Sequence, residues 1–167
     1  MRIRIHALVA VAALTVAPLA FANHAIQVSK SVEINAPADK VWADIKDFGA
    51  LQNWHPAVES TKIDKGGDNK PGTVRVLSLK GGGNITETLT AFSDKGRSMS
   101  YKINEGVLPV AGYSSTITVK AKGKDKATVS WTSRFKAKAG TPDADAKKTI
   151  EGVYDAGLGN LGKKFGG

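Results

Sequence analysis

Between Val58 and Ala137 the chain alternates apolar and polar residues through six successive runs, at 58–64, 73–80, 84–92, 97–104, 111–122 and 126–137. A period of two puts one side of each run in a core and the other in solvent, which is the pattern of a half-buried strand. Turn-forming stretches separate the runs: Gly66–Gly72, Gly81–Gly83, Asp94–Gly96 and Gly123–Asp125. Links this short join neighbours as hairpins, so the strands form an antiparallel sheet. Upstream, Ile26, Val28, Val32 and Ile34 alternate in the same way and predict a seventh strand. Pro37 then suits the first turn of a helix running to about Ile45, with Val41, Trp42, Ile45 and Phe48 as its buried stripe. A second short helix is predicted over 50–54, stopped by Pro56. After the last strand, Pro142 opens a helix over about 143–165. Asp143 and Asp145 lie at its start and Lys163 and Lys164 at its end, matching the helix dipole. Strands segregated from helices in this order make an α+β fold. The sheet needs one face covered, and the last helix offers Ile150, Val153, Tyr154, Leu158, Leu161 and Phe165 at helical spacing. Gly152, Gly157, Gly159 and Gly162 each weaken that helix by roughly 1 kcal/mol against Ala, so it depends on packing.

The first 22 residues read as a segment outside the fold. Arg2 and Arg4 precede a short apolar run from His6 to Ala17, and Ala20 and Ala22 give the small-residue cleavage pattern. The run is shorter than the ~20 residues that span a bilayer, and no later run could cross one. The expectation is therefore a cleaved signal peptide, residues 1–22, and an exported, periplasmic domain, residues 23–167. The domain keeps 22 basic and 15 acidic residues, a net charge of +7. The absence of Cys excludes disulfides, thiolate metal sites and a Cys nucleophile. Export also argues against ATP- or NAD-dependent chemistry, so no cofactor is expected.

The inward face of the sheet is the informative one. Odd positions supply Leu77, Ile85, Leu89, Met99, Ile103, Ile117, Val119, Val129 and Phe135, yet the same face carries Arg75, Glu87, Tyr101, Tyr113, Ser115, Trp131 and Ser133. Polar groups buried without partners cost several kcal/mol. Two readings satisfy them: an internal Arg75–Glu87 ion pair with locally bonded hydroxyls, or a partly wet pocket with a few convergent polar groups. On the second reading Glu87 is also the one candidate catalytic residue, a buried carboxylate able to move a proton from a carbon acid beside Tyr101 or Tyr113.

Other patterns carry less. Gly157–Gly162 matches G-x-G-x-x-G but falls inside the last helix instead of opening one after a strand, so it is no dinucleotide site. His24 and His55 lack companions at ligand spacing, and no metal site is expected. Lys80, Lys102, Lys120, Lys122, Arg134, Lys136 and Lys138 have even parity and face outward. Lys102, Lys120, Lys122, Arg134 and Lys136 form a basic face able to attract an acidic protein. No outward aromatic platform accompanies these lysines, so nucleic acid is not an expected partner.

Several segments together resemble one family. Ile34-Asn-Ala-Pro-Ala-Asp-Lys-Val-Trp42, Asp47-Phe48-Gly49, Leu51 and Trp54 look like the opening of the START-like (SRPBCC) superfamily, in its polyketide cyclase/dehydrase-like branch. Gly72–Arg75, Thr86–Leu89, Met99–Ile103 and Gly112–Ile117 continue the likeness over about 26–165. The resemblance implies a helix-grip fold: a curved antiparallel sheet around the terminal helix, enclosing an apolar cavity for a small ligand or lipid. In plant hormone receptors of this superfamily the positions matching Glu87, Tyr101, Tyr113 and Ser115 line the cavity. The receptors' carboxylate-binding lysine is replaced near Trp54 or His55. With Arg75, Trp54, Trp131 and Phe135 these residues make the expected cavity set. A narrower likeness, in size, export and basic charge, is to MxaD-type proteins of methanol oxidation. It implies an accessory role between an acidic cytochrome and a dehydrogenase.

Overall fold

The computed structural model describes residues 25–166; the expected signal peptide lies outside them. The elements follow in the order β1 (Ile26–Ile34), α1 (Ala38–Ile45), a single 3₁₀ turn (Leu51–Asn53), β2 (Val58–Lys65), β3 (Val74–Leu79), β4 (Asn84–Ser93), β5 (Ser98–Gly106), β6 (Val110–Ala121), β7 (Ala127–Ala137) and α2 (Asp143–Lys164). All strand pairs are antiparallel, in the order β1-β7-β6-β5-β4-β3-β2. Each hairpin link places consecutive strands side by side, and β1 closes onto β7. The fold is the helix-grip arrangement expected from the sequence. Among the described residues no helix is long and apolar enough to cross a membrane.

Alternation along each strand decides the layers. Leu77, Leu89, Met99, Ile117, Val119, Val129 and Phe135 are buried against α2, which contributes Ile150, Tyr154, Leu158 and Leu161. The short α1 seals the other end with Val41, Trp42 and Ile45, and the Trp42 indole N–H donates to Asp94 at 2.7 Å to tie it to the β4–β5 turn. Pro142 sets up α2, its carbonyl accepting from the N–H groups of Asp145 and Ala146 at 3.1 Å each.

One element differs from expectation. The predicted second helix is a single 3₁₀ turn, because Pro56 has no N–H to continue a ladder. The N–H groups of Trp54 and His55 both fold back on the Leu51 carbonyl, at 3.2 and 2.9 Å. This tight turn delivers Leu51 and His55 to the inner face of the sheet.

Candidate ligand-binding site

Strand register assembles the site. Arg75 and Glu87 are direct cross-strand partners on β3 and β4, and Tyr101 on β5 faces Leu89 on one side and Ser115 on the other. Glu87 and Tyr101 therefore stand diagonally on one face of adjacent strands. Arg75 donates from Nε to Glu87 Oε2 at 2.7 Å, and its Nη2 lies 2.6 Å from the same oxygen. Its Nη1 donates to the Phe48 carbonyl at 2.8 Å. The guanidinium carbon sits 3.9 Å from the Phe48 ring centre and 5.2 Å from that of Tyr101. Burial pushes the Glu87 carboxyl above its ordinary pKa, and the Arg75 charge and hydrogen bond oppose that rise.

The hydroxyls form one directed chain. Ser115 donates to the Thr132 carbonyl at 2.9 Å, so its contact with the Tyr154 hydroxyl at 3.1 Å must be donated by Tyr154. That in turn makes Tyr113 the donor in the 2.6 Å bond between the Tyr113 and Tyr154 hydroxyls. The Trp131 indole N–H is shared between Tyr101 and Ser115 oxygens, at 2.9 Å each. Burial, with the Glu87 charge adding to it, holds the Tyr101 phenol well above the usual value. Tyr113 is likewise raised by burial and then by Tyr101 and Tyr154.

Between this network and α2 lies a cavity of about 70 Å³, walled by Leu51, His55, Val58, Leu77, Ile85, Glu87, Tyr101, Tyr113, Trp131 and Ile150. Leu79, Ile103, Leu108 and Val153 also line it and are part-exposed, so its apolar surface runs out to solvent between α2 and the β5–β6 link. Of the expected cavity residues, Glu87, Tyr101, Tyr113 and Trp131 are on the wall. Arg75, Ser115, Trp54 and Phe135 are buried but stand behind it. Arg75 is drawn back by Glu87 and Phe48, and Ser115 by Thr132. The Trp54 ring packs 5.5 Å from Trp131, and Phe135 packs 5.8 Å from Tyr113.

His55, which the resemblance placed only near the replaced receptor lysine, is a wall residue. Its Nε2 donates to the Val153 carbonyl at 2.9 Å and Nδ1 accepts from the Ala57 N–H at 3.3 Å, which fixes the neutral tautomer. Burial depresses its pKa, helped by Arg75 and opposed by the bond to Val153. Leu108 gave no signal either, since the β5–β6 link has no periodicity. Ile150 and Val153 were legible as part of the helix stripe. Among the described residues no cluster of three or more His, Asp or Glu could hold a metal ion.

On the outer face Lys102, Lys120, Lys122, Arg134 and Lys136 are all exposed. Glu33 receives both Lys122 and Lys126, the latter at 3.2 Å. The Glu33 carboxylate offsets one of these two positive charges, so Lys122 sits in an ion-paired group, unlike the rest of the basic face.

The family model for polyketide cyclase/dehydrase and lipid transport matches residues 25–166. The chain belongs to this family. Among solved structures of similar shape, the protein XoxI from Bacillus cereus is 33% identical, with a TM-score of 0.77 over 83% of this chain and 94% of that one. An uncharacterized protein from Bacillus thuringiensis is also 33% identical, with a TM-score of 0.78 over 85% of this chain and all of the other. The Zhui aromatase/cyclase from Streptomyces sp. R1128, at 19% identity and a TM-score of 0.70 over 86% of this chain and 94% of that one, shares the family fold. No curated protein matches the chain.

Proposed function

We propose that the chain is an exported binding protein whose cavity takes a small apolar ligand and releases it unchanged. One observation carries this reading: a preformed, mostly apolar cavity lies between sheet and helix and meets solvent through part-exposed apolar side chains. Its family, described by cyclase, dehydrase and lipid-transport members, supports a ligand-binding role. About 70 Å³ is room for roughly two waters, and less than half the ~150 Å³ of a dry cavity that binds benzene. A ring-sized ligand must therefore push Leu79, Leu108 and Val153 outward. The pattern of Arg2, Arg4, the apolar run and Ala20-Phe-Ala22 supports export with cleavage after Ala22.

The test is native mass spectrometry of the protein recovered from its own host without denaturation. The expected spectrum shows a chain beginning at Asn23 and carrying a few hundred daltons or less of bound mass. An empty cavity in every preparation would count against the ligand reading, and an uncleaved chain against export. A cyclase-like enzyme would use Glu87 as a base, and it requires turnover that Glu87→Gln abolishes. A binding protein instead returns the extracted ligand chemically intact after prolonged incubation.

The exposed cations Lys102, Lys120, Arg134 and Lys136, which enter no ion pair among the described residues, favour a second reading in which the outer sheet face docks an acidic protein. Identifying that protein as a methanol-oxidation dehydrogenase or cytochrome rests on the sequence resemblance alone.

A further inference from the structure

The cavity holds two uncommitted hydrogen-bonding positions, and they are complementary. Both Arg75 contacts with the Glu87 carboxylate fall on Oε2, which leaves Oε1 as an acceptor on the cavity wall. In the hydroxyl chain, the protons of Tyr113, Tyr154 and Ser115 are each assigned, to Tyr154, Ser115 and the Thr132 carbonyl in turn. Tyr101 accepts from the Trp131 indole, and the neighbouring Ser115 oxygen already accepts from Trp131 and Tyr154, so the Tyr101 phenol proton is the one this chain does not take up. Its position diagonal to Glu87 on the neighbouring strand brings donor and acceptor to the same part of the wall.

The nearby cation is spent. Arg75 stands behind the wall with Nε and Nη2 on Glu87, Nη1 on Phe48 and its flat faces against two aromatic rings. His55 is held neutral by its two backbone partners. A ligand carboxylate would meet Glu87 with no free positive group to offset the repulsion. A ketone or ether could satisfy Tyr101 but not Glu87, and a hydrocarbon neither. A hydroxyl group satisfies both, accepting from Tyr101 and donating to Glu87 Oε1.

Building on the ligand-binding reading above, we propose that the ligand is a neutral molecule with an apolar body and a hydroxyl at its buried end, held between Tyr101 and Glu87. The cavity therefore selects alcohols or phenols and rejects carboxylates. Leaving a buried polar group unpaired is what costs affinity in the wrong ligand.

The test uses two sets of matched probes at neutral pH. One set is phenol, toluene and benzoate; the smaller set is 2-butanol, 2-butanone and isobutyrate, for which less movement at the mouth is needed. Affinity is read from the NMR signal of the Trp131 indole N–H, which is bonded to Tyr101 and reports on the site directly. In at least one set the hydroxyl probe is expected to bind tenfold or more tightly than its hydroxyl-free counterpart, and the carboxylate to leave the signal unmoved. In Tyr101→Phe the gap between phenol and toluene should narrow, whereas the gap between 2-butanol and 2-butanone, which rests on donation to Glu87, should persist. Counterparts that bind within tenfold of their hydroxyl partners, or a carboxylate that binds, would overturn the assignment while leaving the cavity a binding site. Silence from all six probes would overturn the ligand-binding reading itself.

Discussion

Two buried titratable residues on the cavity wall respond to pH in opposite directions. His55 is held neutral, and its pKa in the folded chain lies below the ordinary 6.5. Its contribution to stability is whole above pH 6.5 and is lost as pH falls through the depressed value, because the unfolded chain then binds the extra proton. Protonating Nδ1 would also remove the acceptor for the Ala57 N–H. Glu87 has the opposite sign. Its folded pKa lies above the ordinary 4.5, so its contribution is whole below pH 4.5 and declines as pH rises toward the raised value. Thermal melts between pH 7.5 and 4.5 separate the two. His55→Gln, which keeps a donor for the Val153 carbonyl, is expected to flatten the loss of stability on acidification. Glu87→Gln is expected to steepen it, because it removes the group whose proton uptake offsets part of that loss. Parallel profiles for wild type and both variants would show that neither group carries the response.

At the scale of elements, α2 shows why its glycines are not equivalent. A Cβ at Gly157 would come within 2.7 Å of the His55 ring, 2.9 Å of Trp131 and 3.2 Å of Trp54, whereas Gly152 and Gly159 face open space. Gly157→Ala should therefore destabilise the fold in spite of its gain in helix propensity, because three packed rings would have to shift. Gly152→Ala and Gly159→Ala should each stabilise it by about 0.5–1 kcal/mol. Urea denaturation of the three variants decides the matter, and equal stabilisation by all of them would show that the close approach at Gly157 is relaxed in solution. The sequence carried the penalty common to helical glycines but not this distinction, which depends on three rings brought in by the 3₁₀ turn and β7. The strands themselves were legible to within a residue or two, because alternation and hairpin turns are local signals. Glu87 and Tyr101 could be placed on the inward face by parity alone. That Arg75 and Ser115 withdraw from the cavity, while His55 and Leu108 enter it, depends on partners distant in sequence. Neither periodicity nor composition reports that.

Across the whole molecule, the sheet divides two kinds of chemistry. One face closes over α2 and the cavity; the other has no covering element among the described residues and is lined by Ser, Thr and basic side chains. Register puts Lys102, Ser114 and Arg134 in a single row across β5, β6 and β7, with Lys136 two residues further along β7. Lys102 and Arg134 are two strands apart, roughly 10 Å at ~4.8 Å per strand. That is about one Debye length at 0.1 M salt, so their fields reinforce each other toward an approaching acidic surface. Lys122 lies just past the opposite end of β6 and shares Glu33 with Lys126, so one of the two positive charges there is offset. The two ends of the face should therefore behave differently. Retention on immobilised poly-L-glutamate, eluted with a salt gradient, measures this without knowing the partner. The Lys102→Glu/Arg134→Glu pair is expected to elute at markedly lower salt than the wild type. A control pair, Lys122→Glu/Lys124→Glu, makes the same change in net charge and is expected to shift elution less. Equal shifts for the two pairs would mean that net charge alone governs attraction, leaving no basis for a docking site at the Lys102–Arg134 end of the sheet.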